Sequence, residues 1–301
     1  MRRHHRISLV APALLAFAGA FLPVARVDAQ APAPAAPPAL PAAAWPADDA
    51  GLTTLATRLT NDWLARTTVP ALEAVTLPCF QLVTYKGAFD RTGGLAMLAA
   101  MGAASPKVSE VVATRSGDAL IVTCLVQAGQ SVDGKTLPAD PAPRIGVWQQ
   151  AEGAWKLAAW ASLNMPATRP APSAPTFAGD AALSTEGSAL VTRLLGAQHR
   201  KELDAFNAML GEGMQVINFK GQKARKDIMQ GAKAATIDEP KIADARATRC
   251  GGLTVVTCTL TMGQKVGFTK LPADPAPFMA VFQGGGDSAK VIAMANTNKP
   301  N

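Results

Sequence analysis

The chain repeats itself. Residues 79–87 (CFQLVTYKG) answer 213–221 (GMQVINFKG), 107–124 (KVSEVVATRSGDALIVTC) answer 241–258 (KIADARATRCGGLTVVTC), and LPADPAP stands verbatim at 137–143 and 271–277. Every pair is offset by 134 residues, and without a gap 31 of the 88 pairs between 79–166 and 213–300 are identical. Chance would leave only a handful, so the pattern is that of a tandem duplication. Whatever one copy folds into must close within about 115 residues, an ordinary domain size, and be built twice.

The repeat sets the expected boundaries. Residues 1–29 form a signal peptide, 30–47 a Pro/Ala-rich tether, 48–166 the first domain, 167–182 a Pro-rich linker and 183–301 the second domain. Arg2, Arg3, His4, His5 and Arg6 give a basic start, followed by the apolar run Ile7 to Val24. Val27-Asp28-Ala29 has small residues where a signal peptidase reads, placing cleavage before Gln30. Pro12, Gly19 and Pro23 break the apolar run, which falls short of the roughly 20 clean residues of a transmembrane helix. Export to the periplasm or beyond is expected, with no membrane span after cleavage; the rival is a retained anchor. Losing Arg2, Arg3, Arg6 and Arg26 with Asp28 lowers the net charge from +7 to +4. That mild excess, without clustered bases and aromatics, gives no basis for nucleic-acid binding.

Periodicity reads the fold of one copy. Leu52, Leu55, Leu59, Trp63 and Arg66 recur at helical spacing, a short helix follows over Thr68–Val75 (matched by Lys201–Leu210), and Thr92–Met101 reads as a third. Strands are expected at Phe80–Lys86, Val108–Arg115, Ala119–Ala128, Arg144–Gln150 and Trp155–Leu163, with hairpin turns at Ser116-Gly117-Asp118 and Ala151–Ala154. The result is an α+β class: two tandem cone-shaped domains, each a curved antiparallel sheet wrapped on about three helices. This order, closing on RIGVWQQAEGAWKLAAWASLNMP, resembles the nuclear transport factor 2-like superfamily, closest to its SnoaL-like and ketosteroid-isomerase-like branch. The resemblance covers nearly all of 51–166 and 183–300. It implies a pocket at the open end of each cone and pairing through the sheet faces, which two copies in one chain can make internally as a pseudo-dimer.

Enzymes of that superfamily use carboxylates or His projecting from strands into the pocket, with Tyr as hydrogen-bond donor. The expected pocket strands here, 80–86, 119–128, 144–150 and 155–163, contain no Asp, Glu or His, and neither do their partners in the second copy. Asp62 and Glu110 read as solvated, and His199 as a surface helix end, so no catalytic residue is assigned. With His4 and His5 in the signal, one His remains and no C-x-x-C occurs. No metal site and no cofactor are expected.

All five Trp lie between 45 and 160, and Tyr85 is the only tyrosine, so an aromatic-lined ligand pocket is expected in the first copy. Its candidates are Gln81, Tyr85, Trp148 and Trp160, with Gln215, Phe219, Phe282 and Met294 as equivalents; ordinary core packing is the competing explanation. Lys220, Lys223, Arg225 and Lys226 form a candidate basic patch, which a solvated loop explains as well. Cys124 and Cys258 are repeat equivalents, and a disulfide between them across the pseudo-two-fold competes with buried free thiols. The function expected is an exported, non-enzymatic binding protein taking a small apolar molecule or a protein partner. The rivals are a SnoaL-like or ketosteroid-isomerase-like enzyme acting on a small cyclic or lipid-like substrate, and a structural protein with filled cones.

Overall fold

The computed structural model describes residues 44–101, 104–132, 135–168 and 170–300. The expected signal peptide and all but the end of the tether lie outside the described residues. Helix α1 (Asp49–Leu64) opens where the Asp48 carboxylate accepts the Gly51 N–H at 2.7 Å, a cap that starts the helix ahead of its apolar periodicity. It is followed by α2 (Val69–Glu73), β1 (Thr76–Thr84), β2 (Gly87–Phe89), α3 (Arg91–Met101), β3 (Ala104–Ser116) and β4 (Ala119–Gly129). A small hairpin, β5 (Ser131–Val132) and β6 (Lys135–Thr136), leads to β7 (Ala142–Ala151) and β8 (Ala154–Ser162). The second half runs α4 (Ala181–His199), α5 (Leu203–Met209), β9 (Leu210–Asn218), β10 (Gly221–Ala224), α6 (Arg225–Ala234), β11 (Thr236–Ile237) and β12 (Lys241–Cys250). Then come β13 (Leu253–Thr261), β14 (Gln264–Val266), β15 (Thr269–Leu271), β16 (Ala276–Gln283), a 3-10 turn at Gly286–Ser288, and β17 (Lys290–Asn296). The bounds of β1 and β9 differ by 134 residues at both ends.

Two six-stranded sheets result, in the orders β2-β1-β8-β7-β4-β3 and β10-β9-β17-β16-β13-β12. All neighbours are antiparallel except β1 with β8 and β9 with β17, which run parallel because the first strand of each half returns to the last. Each sheet carries a bulge at the same place. The register slips between Ser109 and Val112 in β3 and between Ala243 and Arg246 in β12, with Glu110 at φ +49° and Asp244 at φ +53°. An extra residue in one strand bends it and adds twist, which curls the sheet over its helices.

Alternation along the strands divides the apolar residues into three cores. Leu120 and Val122 turn inward onto α1 with Leu59, Trp63 and Trp160, while Val256, Leu260 and Phe282 do the same under α4 in the second half. The outward residues Ile121, Val147, Val255, Val281 and Ala293 meet in a third core shared by both halves, so the sheets pack face to face. Burying a valine or isoleucine there contributes about 1.5–3 kcal/mol, which makes the sheet faces the main bond between the halves. The ends of the connectors are pinned as well. Trp45 stacks edge-on against Trp155 at 4.9 Å under Arg115, and Arg246 Nε donates to Phe177 O at 2.8 Å.

The disulfide differs from the expectation. Cys79 on β1 bonds Cys250 at the end of β12, joining the halves across the sheet–sheet core, and Cys124 and Cys258 are free and buried. The reason is strand parity. Thr123 and Thr257 point outward between the sheets, so their neighbours Cys124 and Cys258 point inward, each into its own cone with two sheets between them.

Candidate functional site

Each cone has a cavity between the inner sheet face and its helices, and the repeat offset makes the two directly comparable. In the second half the cavity measures about 420 Å³, walled by Leu195, Phe206, Val216, Leu260, Phe278 and Met294, with α6 along one side. The corresponding space in the first half is about 40 Å³. The substitutions between copies account for the difference. Met97, Leu98, Met101 and Trp160 line the first cavity, and the residues 134 positions on are Gly231, Ala232, Ala235 and Met294. Large side chains fill the first cone and small ones leave the second open. The expected aromatic pocket of the first copy is thus mostly occupied by its own aromatics, and the roomier cone is the second; the other cavity of the first half, about 420 Å³, lies between β2, α3 and Ser173–Thr176 of the linker.

The candidate residues separate into three groups. Tyr85 and Trp160 line the small cavity, and Phe219 and Met294 line the large one. Trp148 and Phe282 are fully buried in the inner cores and line neither. Gln81 and Gln215 are not pocket residues. Their amides sit between the sheets in reciprocal networks. Gln81 Nε2 donates to Thr248 Oγ1 at 2.8 Å and to Val255 O at 3.0 Å, while its Oε1 accepts from Thr257 Oγ1 at 2.6 Å. Gln215 Nε2 donates to Thr114 Oγ1 at 2.8 Å and Ile121 O at 3.0 Å, and its Oε1 accepts from Thr123 Oγ1 at 2.5 Å. Every partner in one network lies 134 residues from its counterpart in the other. The retained glutamines thus satisfy buried donors and acceptors across the sheet–sheet contact. Tyr85 parts from Gln81 and Val83 because β1 ends at Thr84 and the turn into β2 breaks the alternation.

The basic candidates disperse. Lys220 and Lys223 border the mouth of the large cavity, with the Lys220 ammonium 5.6 Å from the Phe219 ring. Arg225 turns away to donate to Asn207 Oδ1 at 2.6 Å, and Lys226 is exposed on α6. Asp227 is the carboxylate among the described residues lining this cavity, and its Oδ2 accepts the Ala224 N–H at 3.0 Å, capping α6. His199 ends α4 with Nδ1 2.9 Å from Ile237 O. Asp62 is paired with Arg66 at 2.8 Å, and Glu110 is exposed on the bulge. Among the described residues no group of His, Cys, Asp or Glu is arranged to hold a metal ion.

Burial perturbs three groups in the cones. It pushes the Cys124 thiol up to about 12, against a smaller lowering by Arg144, and does the same to Cys258 without such opposition. Burial lowers Arg144 to about 10, only partly offset by Cys124.

No family model matches the chain, and no curated protein does. Solved structures do resemble it. An NTF2-like protein from Cytophaga hutchinsonii is 13% identical, covers 38% of this chain and 97% of its own length, and gives a TM-score of 0.34. A protein of unknown function with a cystatin-like fold from Nostoc punctiforme is 12% identical, covers 42% and 97%, and scores 0.33. An LEH-like epoxide hydrolase from M. tuberculosis is 16% identical, covers 38% and 84%, and scores 0.29. These are likenesses of fold at low identity.

Proposed function

We propose that this chain is an exported binding protein, without catalysis of its own, that holds a small apolar ligand in its second cone. The observation that carries the reading is the cavity of about 420 Å³, within the roughly 300–1,000 Å³ of small-molecule sites, with aliphatic and aromatic walls interrupted by Gln198, Asn218, Gln264 and Asn296. Lys220 and Lys223 at its mouth suit a ligand with an anionic end. Two features support export: the basic and apolar start of the sequence, and a disulfide between the halves, which suits an oxidising compartment. Titration with anilinonaphthalene sulfonate, an apolar dye with one negative charge, tests the reading. Saturable one-site binding that weakens when Lys220 and Lys223 are both changed to Gln supports it, and absence of saturable binding overturns it.

A second reading, a SnoaL-like or ketosteroid-isomerase-like enzyme, rests on Asp227, whose carboxylate borders the same cavity. Turnover of a cyclic ketone or epoxide that disappears in Asp227→Asn while dye binding persists would favour it.

A further inference from the structure

The first cone contains a buried guanidinium that no carboxylate among the described residues balances. Arg144 lies on β7 between Cys124 of β4 and Ser162 of β8, with 2% of its surface exposed. Its Nη1 donates to Ala142 O at 3.1 Å and Pro143 O at 3.2 Å, whereas its Nη2 is buried without any partner. Among the described residues no carboxylate pairs with the guanidinium, and none lines the cavity it borders. The neighbouring Cys124 thiol stays protonated and supplies no negative charge. Taking an ionised group out of water without a partner is among the costliest arrangements a fold can hold. The duplication shows that the fold does not need it, because the equivalent residue in the second cone is Phe278, which serves as plain wall.

We propose that the first cone is a binding site for a compact carboxylate, held by the Arg144 guanidinium that lines its cavity. A guanidinium matches the two oxygens of a carboxylate better than any other side chain does, and its hydrogen bonds strengthen where water is excluded. The remaining space of about 40 Å³, where about 10–15 Å³ is enough for one water, admits a small carboxylate such as formate or acetate. Trp63, Leu82, Met97 and Trp160 form its apolar wall. Ser162 and Asn164 supply polar wall on the arginine's side, with Asn164 Nδ2 held to Gln130 Oε1 at 2.9 Å. This site is separate from the apolar cavity of the second cone, and the two halves carry different ligand chemistry.

Tryptophan fluorescence of the full chain tests the assignment, because all five tryptophans belong to the first half and two of them line the cavity. In chloride-free buffer at constant ionic strength, formate and acetate are expected to give a saturable change and to raise the melting temperature. Arg144→Met is expected to weaken the response at least tenfold and, without anion, to be no less stable than the native protein. If Arg144→Met does not fold, Arg144→Lys, which keeps the charge but loses the planar fork, must weaken the response several-fold. Gly231→Met, which fills the other cone, must leave it unchanged. The proposal is overturned if chloride gives the same response as formate, if the arginine variant responds like the native protein, or if Gly231→Met abolishes the response.

Discussion

Gly231 offers the sharpest test of the idea that side-chain size decides which cone is open. It lies within α6, borders the large cavity, and a Cβ built on it meets nothing within 4 Å. The residue 134 positions earlier is Met97, which helps to fill the first cone. Gly231→Met therefore writes the first cone's solution into the second. Replacing glycine within a helix contributes about 0.5–1 kcal/mol through the backbone. Full burial of a methionine side chain would add about 1.5–3 kcal/mol, and a cavity open at one end returns about half of that. Ordering the flexible side chain takes back about 1 kcal/mol, leaving a net gain near 1 kcal/mol. For a chain of this size that is a rise in melting temperature of about 2–4 °C. The same change should weaken anilinonaphthalene sulfonate binding at least tenfold. Thermal unfolding followed by circular dichroism, beside the dye titration, reads both effects. A melting temperature several degrees lower, or unchanged dye affinity, would refute the argument that missing side-chain volume creates the site.

Other expectations follow from the same geometry. Gln81→Leu strands the Thr257 hydroxyl and the Val255 carbonyl in the sheet–sheet core and should cost about 2–4 kcal/mol in urea unfolding. The Cys79–Cys250 bond closes a loop with a sequence separation of 171, for which chain entropy alone gives about 5 kcal/mol; the double Ala variant should lose about 2–4 kcal/mol. Thiol titration of the unfolded, unreduced protein should find the two free cysteines, and reduction should double the count. Burial keeps Cys124 and Cys258 protonated in the fold up to about 12, against 9.0 for a free thiol. The unfolded chain releases those protons first, so their contribution is whole below pH 9 and falls as pH rises from 9 to 12. Replacing both with Ala should flatten that alkaline limb of the stability curve.

Much of this molecule was legible in its sequence, and the misplacements have one physical source. Helical spacing and turn chemistry place the elements of the first half to within a few residues, because both are local. The assignment of Gln81, Tyr85, Trp148 and Trp160 to a ligand pocket ran together two questions that only packing separates: which face of the sheet a residue occupies, and how much space remains on that face. Parity along β4, with Thr123 outward and Cys124 inward, was available from alternation once the sheets were known to meet on their outer faces. The sign of the volume argument was readable too. Met97 against Gly231, Leu98 against Ala232 and Met101 against Ala235 all point to an open second cone, although small residues do not suggest a binding site. Arg144 was hidden differently. On an antiparallel strand it reads as a surface charge, and only the burial of β7 between β4 and β8 makes it anomalous.

The cross-link between the halves breaks their symmetry. The positions related to Cys79 and Cys250 by the repeat are Gly213 and Ser116, and a Cβ on Gly213 would stand 2.4 Å from Arg115 O. The edge along β3 therefore has no room for a matching bond, and the backbones themselves close up there, with Thr114 Oγ1 donating to Gly213 O at 2.5 Å. A pull that separates the sheets meets a covalent stop along β12 and only packing and hydrogen bonds along β3. Under such a load the side of Gly213 and Thr114 is expected to part before the side of Cys79 and Cys250.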